Sequence, residues 1–259
     1  MNATRTKSLN TPQAVGHASK DLARYFYSGA ALLLFLLMFL GFQQFYVHGK
    51  AYPGRELTPP IRTLIILHGV AMSTWMLLFV AQPLLIASGN RRVHMTLGKV
   101  GAGLTVVVVF LGLRLGIESA RVNPPDLLLW GLTPPQFMAV SVISITMFGT
   151  LVAVAIWKRR QPELHRPMML LAVLAAMPAA MDRIDPIKSL YAETVFGTIW
   201  GPFFSTLVVG LFLVGLHWTL TRKLSRPLAI GYAGLVLMGA IIMRLAPSGL
   251  WESFTNFLL

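Results

Sequence analysis

The chain has 259 residues, 55% of them apolar and only 12% charged, with a mean hydropathy of +0.67; a soluble domain carries about 25% charged residues, so this chain belongs in a membrane. Its net charge of +13, from 22 Lys and Arg against 9 Asp and Glu, then reads as cytoplasmic loops and anionic-lipid contact, with no nucleic acid as partner. The absence of cysteine excludes disulfides, thiolate metal sites, iron–sulfur clusters and covalently attached c-type haem.

Residues 1–20 are rich in Thr, Ser, Asn and Gln without apolar periodicity, and read as a mobile tail ahead of one membrane domain, 21–259. The first apolar run, Tyr25–Val47, is too long for a signal peptide and has no small-residue cleavage site, so it reads as a first transmembrane helix. Six more spans follow at Thr63–Ser88, Val100–Glu118, Phe137–Trp157, Pro167–Asp182, Phe196–Leu220 and Leu228–Leu245. The fifth is short, about 24 Å at 1.5 Å per residue, and Pro178 breaks it; Pro83 does the same near the end of the second. Such breaks are tolerated where neighbouring helices satisfy the freed carbonyl. The expected fold class is therefore all-α, a bundle of seven transmembrane helices.

Charge sets the expected orientation. With a cytoplasmic N-terminus, 14 of the 22 cations fall on inner segments beside only Asp21 and Glu163, while the other eight cations share the outer side with seven acids. That asymmetry predicts N-in, C-out topology in a bacterial-type inner membrane. A weak internal repeat accompanies it: 63–118, 137–182 and 196–245 each read as a hairpin turning at a basic inner loop, and each loop carries one histidine, His94, His165 or His217.

Those histidines are one candidate constellation. His94 and His165 open helices at the inner face, and His217 lies five residues before Arg222, about 7 Å inside that boundary. At similar depth on three spans, they are placed to converge. Neutral imidazole is a common axial ligand of haem iron, and the inner Arg and Lys suit haem propionates. A helix-opening histidine that caps its helix or meets lipid phosphate is the bland alternative. His68 lies on the second span about 9 Å below the outer surface, too far from His94 to share a ligand with it. His68, Met72 and Trp75 share one helix face, and Met72, Met177 and Met181 are candidates for a sixth ligand opposite His68, though methionine is more often packing filler.

The second constellation is an outer polar cluster: Arg114 and Glu118 at i,i+4, then Asp182, Arg183 and Asp185 closing the fifth span, and Arg244 near the end of the seventh. Charges at such depth usually pair or face a wet cavity, so the cluster reads either as packing salt bridges or as an outward site for an anion, a quinone or a haem propionate. A retinal Schiff-base lysine, a Walker motif, a dinucleotide fingerprint and a His-Glu-x-x-His pair are all missing from the chain.

The run Leu67-His68-Gly69 to Trp75, Gln82-Pro83 and Arg91-Arg92-Val93-His94 with Gly98, followed by His165-Arg166-Pro167-Met168-Met169, resembles a widespread group of bacterial multi-pass membrane proteins with His-x-x-x-Gly hairpins. More distantly, the histidine-bearing hairpins resemble cytochrome b561-type bundles. That resemblance implies haem b between facing histidines. Three functions follow as expectations: a b-type haem electron-transfer protein exchanging electrons with quinone; a transporter whose outer cavity is lined by Arg and acids; or an accessory subunit of a larger membrane complex.

Overall fold

A chain that cannot offer its backbone to water folds into helices, which satisfy their own peptide groups. The computed structural model describes residues 12–52, 55–57 and 59–259, and among these the architecture is helical apart from a short ribbon, β1 (Lys50–Tyr52) against β2 (Arg55–Glu56). The helices in chain order are α1 (Pro12–Gly41), α2 (Gln43–His48), α3 (Arg62–Ala87), α4 (Arg91–Val122), α5 (Pro134–Trp157), α6 (Pro162–Ala176), α7 (Pro178–Met181), α8 (Asp185–Lys188), α9 (Val195–Trp200), α10 (Phe204–Thr221), α11 (Arg226–Leu245) and α12 (Gly249–Leu258).

Five helical stretches are long and apolar enough to cross a membrane: α3, α4, α5, the Val195–Thr221 unit of α9 and α10, and α11; Tyr25–Gly41 of α1 is a shorter apolar helix. This is the mark of a multi-pass membrane protein. Side chains such as Val106, Phe110, Leu211 and Ile230 stand exposed on these helices, as lipid-facing residues do.

α6 is the central element. Leu170, Leu171, Ala172, Val173, Leu174 and Ala175 are all buried, and the helix packs against α1, α5, α10 and α11. Small residues permit the close approaches of α11 to α6 and of α1 to α7: a Cβ on Gly231 would strike Leu171, and one on Gly41 would fall on the backbone of Ala180. As expected, the α6 helix stops short of Pro178. Pro178 has no N–H, so the Leu174 carbonyl loses its usual i+4 donor and takes only a 3.3 Å bond from Met177.

Several boundaries differ from the sequence reading. α1 begins at Pro12, inside the stretch read as a tail; residues 1–11 of that tail lie outside the described residues. The first span stops at Gly41, where it meets Ala180, and α2 follows as a separate turn. α3 runs through Pro83 to Ala87 without breaking. The sixth span is divided at Gly201, whose φ of 50° opens a 3-10 turn, Gly201–Phe203. α12 had no expected counterpart. It is pinned by the Trp251 indole donating to the Pro135 carbonyl (2.9 Å) and by Arg121 donating to the Leu258 carbonyl (2.9 Å).

Candidate functional site

The turns around Asn90, Arg160 and Lys223 gather at one end of the bundle, and two of the three histidines expected there do come together. His94 sits in the first turn of α4 with Arg91, His165 and Arg166 within electrostatic reach. The Gln82 side chain of α3, with its NH2 turned to His94, donates to His94 Nδ1 and accepts from the Gly98 N–H at 3.1 Å. In His165, Nδ1 donates to the Ala155 carbonyl at 2.8 Å, so Nδ1 carries the hydrogen and Nε2 the lone pair.

His217 stands apart, edge-on to Phe26 at 4.9 Å and to Tyr27 at 6.1 Å, with the Arg166 guanidinium 5.9 Å from the other ring contact, Tyr27. His68 lies toward the opposite end, where Gly112 leaves just enough room for its ring and Nδ1 is buried without a hydrogen-bond partner among the described residues. Trp75 faces the interior as expected, donating to Thr105 Oγ1 at 2.8 Å. Met72 is half-buried, and Met177 and Met181 are buried in the α6–α7 core. Among the described residues no group of three or more His, Asp and Glu side chains is placed to hold a metal ion.

The second constellation divides into three. Arg114 and Arg121 flank Glu118 at 3.4 and 3.3 Å on the exposed side of α4. Arg244 is exposed at the end of α11. Asp182 is buried instead, and its partners were not foreseen: the Trp130 indole donates to Oδ1 at 2.7 Å, and Lys188 Nζ lies 3.3 Å from the same oxygen. The reason lies in the loop before α5. Leu129 and Leu132 exchange backbone hydrogen bonds around Trp130 (φ 56°) and Gly131 (φ 74°), a two-residue turn with both central residues left-handed. That conformation is unfavourable for tryptophan, and the Asp182 bond, the Lys188 ammonium 5.3 Å over its ring and the stacked Tyr191 ring at 5.6 Å hold it there. Burial pushes the Tyr191 phenol above its ordinary value; the hydrogen bond to Ser205 opposes this and the Asp182 charge adds to it.

Arg183 and Asp185 line a cavity of about 410 Å³ with the end of α1 and the start of α2, namely Phe42, Gln43, Gln44 and Phe45. The Arg183 guanidinium lies 4.8 Å from the Phe42 ring and donates to the Ala179 carbonyl. The volume falls in the range of about 300–1,000 Å³ typical of small-molecule sites. Its walls combine one cation, one carboxylate, two amides and two aromatic rings. The Arg183–Asp185 spacing carried a signal in the sequence. Gln43 and Gln44 carry none, because the apolar run Tyr25–Val47 continues through them.

Comparison with protein families, curated proteins and solved structures finds no match to this chain.

Proposed function

We propose that this protein is a seven-span transporter of the bacterial inner membrane, N-terminus inside and C-terminus outside, which receives a small carboxylate-bearing solute in the cavity lined by Arg183 and Asp185. The cavity is the observation that carries the reading. Adding α1 and the α6–α7 pair to the five long apolar stretches supports this count; Pro162–Met181 would be about 30 Å long as a continuous helix, enough to cross. The distribution of Lys and Arg supports the orientation, which puts the cavity on the outer face. The polar wall sits beside a discontinuous helix, a placement that transporters use because an interrupted helix exposes backbone groups and can move.

Reconstituted into proteoliposomes, the protein should take up labelled small carboxylates from a panel of acetate, glutamate and citrate. Removing a charge-assisted hydrogen bond costs about 1.5–3 kcal/mol, so Arg183→Gln should cut uptake of the preferred carboxylate by about tenfold or more. Arg114→Gln and His94→Gln, which lie off the cavity, should leave uptake intact. Uptake that survives Arg183→Gln contradicts the reading. The competing function is a b-type haem held at the basic end, favoured by the free Nε2 of His165. On the transporter reading the purified protein shows no Soret band, whereas a Soret band lost in His165→Ala favours the haem.

A further inference from the structure

Hydroxyl side chains on membrane helices normally donate back to their own helix, and here Ser73, Thr74, Thr105, Thr146 and Thr150 all bond to the carbonyl four residues earlier. Ser144 on α5 and Thr206 on α10 do not. Both hydroxyl oxygens are buried with no hydrogen-bond partner among the described residues, and Thr206 is only 4% exposed. Both line one small cavity of about 20 Å³ in the middle of the bundle.

The same cavity is lined by Leu174, whose carbonyl keeps the 3.3 Å bond from Met177, by Pro178 and by Tyr232. Tyr232 donates to the Leu207 carbonyl at 2.8 Å, so its own oxygen keeps a lone pair to offer. A buried water needs about 10–15 Å³ of such space and two to four polar partners. The space suits one water molecule, and the two orphaned hydroxyls on its wall supply the partners. No charged residue lines the cavity, so a cation would lie there without a counter-charge, at high cost in a low-dielectric interior.

We propose that this cavity is a binding site for a single water molecule, which bridges Ser144 and Thr206 at the α6–α7 break and ties α5, α6, α10 and α11 together. Pro178 lies five residues before Arg183 in the same broken segment, but the inference is independent of what the Arg183 cavity binds.

The test is thermal unfolding of the full-length protein in detergent, as wild type, Ser144→Ala, Thr206→Val and the double variant, in sodium and in potassium buffers. Loss of one anchor of the bridging water should lower Tm by about 2–4 °C in each single variant. The double variant should fall no further than the lower single, because both hydroxyls act through one molecule, and Thr206→Ser should stay at the wild-type value. Orphaned hydroxyls in a dry cavity would give the opposite sign: Thr206→Val would leave Tm unchanged or raise it, which overturns the proposal. Additive losses, or a wild-type Tm that depends on sodium against potassium, also overturn it.

Discussion

Lys188→Met should lower the melting temperature of the detergent-solubilised protein by roughly 4–12 °C, the shift that about 2–3 kcal/mol produces in a chain of this size. The Asp182 carboxylate is 7% exposed, and its ion-pair partner is Lys188, itself 36% exposed. Without the ammonium a buried charge is left leaning on the Trp130 indole, which donates to it at 2.7 Å. Removing one partner of a fully buried pair costs about 3–5 kcal/mol; the partial exposure of Lys188 brings the figure down. The effect spreads because Trp130 holds an unfavourable left-handed turn, and its ring is clamped by the same two side chains and Tyr191.

Asp182→Asn in the Lys188→Met background should recover most of the loss, since the amide oxygen still accepts from Trp130 and no charge is stranded. The exposed Arg114–Glu118 pair is the contrast. Pairs of that kind contribute about 0–1 kcal/mol, so Arg114→Gln should hardly shift the same unfolding curve. An unchanged Tm in Lys188→Met would show that Asp182 is not held by this pair.

Gly41→Ala should be destabilising although alanine favours helix over glycine by about 1 kcal/mol. The added Cβ meets the Ala180 backbone, and backbone, unlike a side-chain tip, cannot swing aside. Over-packing of this kind costs about 1–3 kcal/mol, and relief requires α1 to move off α7. Because Gly41 and Arg183 wall the same cavity, carboxylate uptake should fall with Tm. Gly98→Ala in α4 gives the opposite sign: nothing lies within 4 Å of its added methyl, so stability should hold or rise. Equal behaviour of the two variants would contradict the close α1–α7 packing.

Hydropathy and proline placement made the helical architecture legible in the sequence, including the break before Pro178, because apolar periodicity and a missing N–H are local properties. The endings were less legible. α1 stops at Gly41 because another chain segment lies against it, and α12 is held by Trp251 and Arg121 contacts to residues more than a hundred positions away. The site divided along the same line. Arg114 and Glu118 share a helix face, so their pairing could be read from i,i+4 spacing. Asp182 was grouped with the nearby arginines because charge alone was visible, whereas its partner Trp130 depends on a turn 52 residues earlier. His94, His165 and His217 all lie near basic turns, but distance from a turn fixes only one coordinate. Gln82 and Ala155 decide which way His94 and His165 turn, and Phe26 and Tyr27 keep company with His217.

The chain contains no cysteine, so single cysteines report position without any background to remove. Treating intact cells with a membrane-impermeant maleimide tests the central claim most directly, with Ile187→Cys placed in the cavity wall and Arg222→Cys in the basic turn after α10. An outward cavity in a seven-span, N-in protein predicts that Ile187→Cys is modified from outside and protected by the carboxylate that the protein carries. Arg222→Cys should react only once the cells are opened. Modification of Arg222→Cys in intact cells, or an Ile187→Cys that reacts only after lysis, would contradict the account.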